Sequence, residues 1–170
     1  MRRIILLRHA KSSWADEGVH DAARPLNERG RLAAVLMGAW LADQDLFPDF
    51  ALVSTARRAV ETWERVKTGM GMAPPHASAP IYMAGPATLL EVAQGAPDDA
   101  ATILMLGHQP GMQDFMKALA GEADEACARA FDKYPTAAAA VIEFADLAAW
   151  ADAAPGAGRL TRFAHPKDLV

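Results

Sequence analysis

Short apolar runs alternate with longer segments of helical periodicity along the chain. Ile4–Leu7 is an aliphatic run too short for a globular helix, and Phe50–Val53 and Thr102–Leu106 are two more runs of this kind. Apolar runs of this length that end in polar residues are typical of strands buried on both faces of a parallel sheet. Ala137–Phe144 also indicates a strand, although its alanines have helical propensity. We expect a weak strand at Ala79–Tyr82 and an edge strand at Arg159–Phe163.

Helical segments separate these runs. Apolar residues recur at helical spacing after Asn27, a good capping residue, until about residue 44. Further helices are predicted at Ala56–Met70, from Gly85-Pro86 to about residue 95, and from Pro110-Gly111 onward. Residues 122–133 are expected to form a short helix or a loop, and residues 145–150 a helical turn. Strands that alternate with helices predict an α/β fold in which a mainly parallel sheet has helices on both faces.

Composition narrows the class of protein. The 170 residues include 52% hydrophobic and 22% charged side chains, which is typical of one soluble globular domain. A net charge of −4 leaves no broad basic surface for nucleic acid. Cys127 is the only cysteine, so no internal disulfide forms, and the N-terminal aliphatic run is too short for a signal peptide or a membrane span. We therefore expect a cytoplasmic protein.

Three of the predicted strands end in residues that carry chemistry. Arg8-His9 follows the first strand, Ser54–Arg58 follows the second, and Gly107-His108 follows the third. Ligands of open α/β sheets bind beyond the carboxyl ends of the strands. If these strands are neighbours, two imidazoles and at least two guanidiniums surround one pocket, which suits a phosphorylated ligand. On position alone, a strand end at the surface explains Arg8 and His9 equally well.

Other active-site signatures are absent from the sequence. The five histidines show neither an HExxH pattern nor close His/Cys pairs, so no metal site is predicted. The chain also lacks the GxSxG pattern of α/β-hydrolases and the glycine-rich phosphate loop of nucleotide kinases. We accordingly expect neither a metal nor another cofactor.

Several segments resemble motifs of the histidine phosphatase superfamily. Leu7–Ala10 resembles its RHG signature, Ser54–Thr62 its SPxxRAxxT segment and Gly107–Gly111 its GHNPG segment, each with one substitution. RHAKSSW, RPLNERG at Arg24–Gly30 and GRLTRFAHPKDL at Gly158–Leu169 are similar to the small bacterial phosphohistidine phosphatases of the SixA type. The resemblance spans essentially the whole chain. It implies that residues 1–170 form a single histidine phosphatase domain, a three-layer sandwich of the phosphoglycerate mutase-like fold.

The resemblance also implies roles for individual residues. His9 is expected to be the nucleophile that becomes phosphorylated, and Arg8, Arg58 and His108 to bind the phosphoryl oxygens. Arg58 is preferred over its neighbour Arg57 because it alone has the family's spacing to Ala59 and Thr62. Ser12 could add a hydroxyl donor to the substrate site, although a capping or loop role fits it equally well. Ala15 replaces a residue that is polar in many relatives.

A departure from the larger relatives bears on the substrate. Those relatives carry an acidic proton donor after the second strand–helix unit, but Ala77–Ala87 contains no Asp or Glu, and the nearest candidate is Glu91. An alkoxide leaving group needs such an acid, whereas imidazole, with a pKa of about 6.5, departs readily when protonated. This difference favours cleavage of a P–N bond over a P–O bond.

The sequence thus predicts a phosphohistidine phosphatase that acts on a signalling protein, such as a histidine-containing phosphotransfer domain. The chain is expected to be a monomer with no nucleic acid or membrane partner. Two alternatives stay open. One is a phosphomonoesterase for a small metabolite such as a sugar phosphate, and the other is a phosphoprotein-binding module that has lost catalysis.

Overall fold

The computed structural model describes residues 1–170 and is built on one seven-stranded sheet. The strand order is β3-β2-β4-β1-β6-β7-β5. β6 runs antiparallel to both of its neighbours, and every other pairing is parallel. The predicted mainly parallel sheet is therefore confirmed. The strands are β1 (Arg2–Arg8), β2 (Phe50–Ser54), β3 (His76–Ala79), β4 (Thr102–Gly107), β5 (Ala120–Ala123), β6 (Ala139–Phe144) and β7 (Gly158–Ala164).

Helices cover both faces of the sheet. Alternate residues of a strand point to opposite faces, so β1 contributes to two separate cores. Ile5 and Leu7 belong to a core that includes Trp63 of α2 (Arg57–Met70), whereas Ile4 and Leu6 belong to one that includes Phe115 of α4 (Gly111–Leu119). Three layers result, as predicted. The helices are α1 (Glu28–Asp43), α2 (Arg57–Met70), α3 (Pro86–Gln94) and α4 (Gly111–Leu119).

The helix ends follow local sequence signals. The Asn27 side chain accepts a hydrogen bond of 2.8 Å from the Gly30 amide, which satisfies one of the free donors of the first turn of α1. α2 ends at Gly71, whose φ of 74° is readily adopted by glycine. None of the helices combines the length and the apolar composition that crossing a lipid bilayer requires.

Two of the predicted element positions were wrong. The strand predicted at Ala79–Tyr82 lies earlier, at His76–Ala79, because Pro80 has no amide proton for a ladder hydrogen bond and starts a turn. The turn predicted at residues 145–150 forms instead as a 3₁₀ helix at Trp150–Asp152. The short helix or loop predicted at residues 122–133 is confirmed as the 3₁₀ helix Glu125–Phe131, but the strand before it, Ala120–Ala123, was not predicted.

That strand changes the edge of the sheet. β7 was predicted at the edge, yet it lies between β6 and the short strand β5. Ala120–Ala123 has no alternating apolar pattern, so its pairing is not visible in the sequence. Arg159 of β7 forms ion pairs with Glu122 and Asp124, and these charges mark the register between the two strands.

Candidate active site

The carboxyl ends of three adjacent strands form the site. β2, β4 and β1 are neighbours in that order, and Arg8 pairs in register with Gly107. The residues that follow these three strands therefore lie together at one edge of the sheet, as the sequence predicted. α2 and α4 begin within four residues of the ends of β2 and β4. The positive ends of their dipoles add to an environment that favours an anion.

His9 is fixed by its own backbone and ring. Its amide donates to the Gly107 carbonyl at 2.9 Å, and its carbonyl accepts from the Ala137 amide at 2.9 Å. The ring Nδ1 lies 2.7 Å from the Ala10 carbonyl oxygen, which only accepts, so Nδ1 carries the proton. Nε2 is then an unprotonated nitrogen, and Arg58 Nε donates to it at 3.3 Å. The lone pair of Nε2 therefore faces the Arg58 guanidinium.

Burial keeps this imidazole neutral. His9 is 7% exposed, and desolvation lowers its pKa to about 3, with smaller contributions in the same direction from His108, Arg58 and Arg8. Desolvation also lowers the pKa of His108 to about 4, aided by the two guanidiniums. The two rings lie 5.1 Å apart between centroids. Both rings are therefore neutral at neutral pH, and His9 Nε2 is available as a nucleophile.

Of the two adjacent arginines, only Arg58 reaches the site. It is 5% exposed and contacts His9, whereas Arg57 is exposed and forms an ion pair with Glu61 at 3.0 Å. Thr62 connects α2 to the segment after β1, because its hydroxyl accepts from the Ala10 amide at 3.0 Å and donates to the Arg58 carbonyl at 2.7 Å. The spacing from Arg58 to Thr62 thus has a structural function.

Ser54 orients His108. The Ser54 Oγ accepts from the Ala56 amide at 3.3 Å and lies 2.7 Å from His108 Nε2. When the hydroxyl donates to Nε2, the His108 proton lies on Nδ1. That nitrogen has no partner within the protein. Ser54 is fully buried, so the orientation of the hydroxyl is protected from water.

Arg8 is half-buried and supplies a second guanidinium to the site. Its Nη1 donates to the Tyr134 carbonyl at 2.9 Å, but its Nε has no partner. Burial, followed by repulsion from Arg58, lowers the pKa of the guanidinium. A buried donor without an acceptor costs free energy, and an anionic ligand with several oxygen atoms would supply acceptors here.

Ser12 was predicted as a substrate ligand, and its hydroxyl is already engaged. It accepts a hydrogen bond of 2.7 Å from Arg24 Nη1, and the residue is 7% exposed. Arg24 also forms an ion pair of 3.1 Å with Asp21 and stacks on Trp14, with 3.6 Å between its Cζ and the ring centroid. The contact of Ser12 with a substrate stays a prediction, whereas its contact with Arg24 is a feature of the structure.

Sequence reasoning missed the acidic member of the site. Asp21 accepts from Tyr82 at 2.6 Å and from Arg58 Nη2 at 3.0 Å, and its carbonyl accepts from Arg58 Nη1 at 2.7 Å. The hydrogen bond from Tyr82, together with those from Arg58 and Arg24, lowers the pKa of Asp21 to about 2. The carboxylate is therefore ionised at neutral pH and has no proton to donate. Arg24 is the first residue of the motif RPLNERG, but no role at the site was predicted for it.

Glu91, the acid considered from the sequence, has a different location. It lines a groove with Ser78 and Thr88, whereas the acidic residue that lines the cavity at His108, of about 300 Å³, is Asp114. No group of three or more His, Cys, Asp or Glu side chains is arranged to hold a metal ion. The positive charge of the site comes from Arg8 and Arg58.

Comparisons with known proteins agree with this geometry. Residues 4–79 match the family model of the histidine phosphatase superfamily, branch 1. An uncharacterized protein of Mycobacterium tuberculosis is 35% identical over 164 residues, which cover 95% of this chain and all of the relative. A structure described as a candidate phosphohistidine phosphatase SixA from Nakamurella multipartitia is 28% identical, with a TM-score of 0.81 over 97% of this chain and 96% of that one. A similarly described structure from Agrobacterium tumefaciens is 29% identical, with a TM-score of 0.78 over 97% and 98%.

Proposed function

Because this chain belongs to the histidine phosphatase superfamily, and within it to the SixA type, it is a phosphatase, and we propose that its substrate is a phosphohistidine carried by another protein. The observation that carries the proposal is the neutral His9 Nε2 beside Arg58, in a site where Asp21, the carboxylate hydrogen-bonded to Arg58, is ionised. The proposal therefore concerns both the nucleophile and the leaving group.

In the first step His9 Nε2 attacks the phosphorus atom. A bond forms between Nε2 and phosphorus while the bond between phosphorus and the substrate imidazole breaks. The proton on His9 Nδ1 stays hydrogen-bonded to the Ala10 carbonyl, so the phosphorylated ring keeps its orientation. A water molecule then attacks phosphorus, inorganic phosphate leaves, and Nε2 regains its lone pair.

The oxygen atoms of the phosphoryl group bind to Arg8, Arg58 and His108 in this mechanism. Arg8 Nε and His108 Nδ1 have no partner in the protein, which supports their role as donors to the substrate. Arg58 uses three of its five N–H groups for His9 and Asp21, so two remain for oxygen atoms. Guanidiniums stay charged throughout and stabilise the negative charge of the transition state.

An imidazole leaving group fits a site in which Asp21, the carboxylate hydrogen-bonded to Arg58, is ionised. With a pKa of about 2, Asp21 has no proton at neutral pH, and Glu91 lines another groove. An alkoxide would therefore leave without assistance, which is slow. Imidazole, which has a pKa of about 6.5 in its protonated form, takes a proton from water and leaves readily.

The surface around the site supports a protein-borne substrate. Trp14 and Met83 are 74% and 84% exposed, and both flank the cationic centre. Trp14 stacks on Arg24, and Met83 lines the cavity at His108. Exposed large apolar side chains beside a polar site are typical of surfaces that contact other proteins.

A comparison of leaving groups tests the proposal. Phosphoimidazole, p-nitrophenyl phosphate and glycerol 3-phosphate are hydrolysed at the same enzyme concentration, with His9→Ala as the inactive control. We expect kcat/KM to fall in that order and glycerol 3-phosphate to be the poorest substrate by at least about a hundredfold, the usual contribution of a general acid. A glycerol 3-phosphate rate that equals or exceeds the phosphoimidazole rate would favour the phosphomonoesterase alternative. If wild type hydrolyses none of them, the proposal fails.

A further inference from the structure

A second cationic cavity lies beside residues 9–11, which follow β1 and which we call the catalytic segment. This cavity is separate from the phosphate site. It has a volume of about 340 Å³. Lys11, Arg29, Lys133 and Lys167 supply four positive charges to its walls, and no Asp or Glu lines it. We call these four residues the basic groove. Its cations come from three segments that resemble the SixA type and from the loop before β6, so residues distant in the sequence converge here.

The four cations have no partners within the protein. None of their side chains makes an ion pair or a hydrogen bond, although the chain as a whole carries a net charge of −4. The nearest acidic residue of the C-terminal wall, Asp168, is already bound by Arg129 at 2.7 Å and by the His165 amide at 3.0 Å. Glu28 and Asp132 adjoin Arg29 and Lys133 in sequence but do not line the cavity. The groove is therefore a local concentration of uncompensated positive charge.

The walls of the groove are connected to the catalytic segment. Lys11 follows His9 by two residues, and its carbonyl accepts from the Asn27 amide at 3.0 Å, next to the first turn of α1. On the other side, the Ala137 amide donates to the His9 carbonyl at 2.9 Å, and the Tyr134 carbonyl accepts from Arg8. The groove therefore adjoins the backbone segments that hold Arg8 and His9.

We propose that the basic groove binds acidic side chains of the protein that carries the phosphohistidine. The inference rests on the proposed function and adds the chemistry of the partner surface. Carboxylates near the phosphorylated residue contact the groove while the phosphoryl group occupies the site at His9. Complementary charges of this kind speed association and select the partner.

The exposure of the cations favours a protein partner over a small anion. All four side chains are exposed, and none is a buried donor directed into the cavity. Small-ligand sites bury most of the ligand and fix it with a few enclosed polar groups, as the phosphate site does with Arg8, Arg58 and His108. Solvated lysines instead attract charge over a distance and tolerate several side-chain arrangements, which suits a protein surface.

Two synthetic peptides with a central phosphohistidine test the inference. One carries glutamates on both sides of the phosphohistidine, and the other carries glutamines at the same positions. We expect wild type to hydrolyse the glutamate peptide with a kcat/KM about three- to tenfold higher at low salt, the range expected for a few exposed charge pairs. About 0.5 M NaCl should remove the preference, because it screens exposed charges.

Matched variants assign the preference to the groove. Arg29→Gln/Lys133→Gln removes two cations from opposite walls, and Arg65→Gln/Lys117→Gln removes two exposed cations elsewhere. We expect the first variant to lose the preference for the glutamate peptide, the second to keep it, and both to hydrolyse phosphoimidazole at the wild-type rate. A preference that survives in the groove variant, or that is absent in wild type, would overturn the inference.

The two proposals fail in different ways. If phosphoimidazole is hydrolysed but glutamates give no advantage, only the groove inference fails. If phosphoimidazole is not hydrolysed, the proposed function fails, and binding of the unphosphorylated peptides, measured by fluorescence anisotropy, still tests the groove. Binding of inorganic pyrophosphate that depends on Arg29 and Lys133, without any difference between the peptides, would identify a small-anion site and overturn the inference.

Discussion

His9 is an imidazole held neutral by its surroundings. Desolvation and the cations beside it lower its pKa to about 3, and desolvation also lowers the pKa of His108, to about 4. The unfolded chain binds protons at these positions below about pH 6.5, whereas the folded chain does not. The free energy of unfolding should therefore decrease as the pH falls from about 6.5 toward 4, and it should not depend on these two groups at higher pH.

A titration of the histidine ring protons by NMR tests this electrostatic account. Two of the five histidine signals, assigned by their loss in His9→Ala and His108→Ala, should keep the chemical shift of the neutral ring down to about pH 5. A midpoint near pH 6.5 for His9 would contradict the account, because a protonated ring has no lone pair on Nε2.

The two adjacent arginines form a matched pair for a test of substrate binding. Arg58→Ala removes two charge-assisted hydrogen bonds to the phosphoryl group, each worth roughly 1.5–3 kcal/mol, so kcat/KM on phosphoimidazole should fall about a hundredfold or more. Arg57→Ala removes only an exposed ion pair with Glu61, and its kcat/KM should stay within about twofold of wild type. The reverse pattern would assign the phosphoryl contact to Arg57.

Single residues differ in how well the sequence predicts them. The position of Arg58 followed from its spacing to Thr62, and that spacing is required because the Thr62 hydroxyl bridges Arg58 and Ala10. Asp21 lies in a segment without helical or strand periodicity, and Tyr82 lies at the end of a weakly predicted strand. Their contact spans 61 positions in the sequence and depends on the folded chain. No local pattern predicts such a pair.

At the level of elements, α1 holds the catalytic segment through one close contact. Gly30 lies in the first turn of α1, and a Cβ atom at this position would lie 2.1 Å from the Lys11 carbonyl oxygen. Any side chain here therefore separates α1 from the residues that follow His9. The glycine is required by a close approach between two backbones.

Gly30→Ala tests this link between the fold and the site. We expect the substitution to lower the free energy of unfolding by about 1–3 kcal/mol, the usual cost of overpacking, and to reduce turnover of phosphoimidazole because Lys11 must shift. Urea denaturation and steady-state kinetics measure both effects. Gly95→Ala is the control, since its nearest neighbour atom would be 3.6 Å away. If the two variants behave alike, α1 does not position the catalytic segment.

The predictability of the elements depends on how deeply they are buried. β1, β2 and β4 lie in the middle of the sheet, and their continuous apolar runs give an unambiguous signal. β3 and β5 are four-residue strands at the two edges, where one side of the ladder is free and the side chains need not be apolar. Their positions depend on pairing with a neighbour, and that information is not local.

At the scale of the whole molecule, positive charge is concentrated where the chain is otherwise acidic. A net charge of −4 coexists with the guanidiniums of Arg8 and Arg58 at the site and four unpaired cations in the basic groove. The sequence predicted the first cluster because its members follow strand ends. It did not predict the second, since the groove forms only when the loop before β6 and the C-terminal 3₁₀ helix Pro166–Leu169 meet α1.

The central claim is that the phosphoryl group passes through His9. Wild-type protein is mixed with radiolabelled phosphoimidazole, quenched in alkaline detergent within the first turnover, and digested for mass spectrometry. We expect one label per chain that is released by acid, stable to alkali and located on His9, with none in His9→Ala. A label on another residue, a label that persists in His9→Ala, or full turnover by that variant would contradict the account.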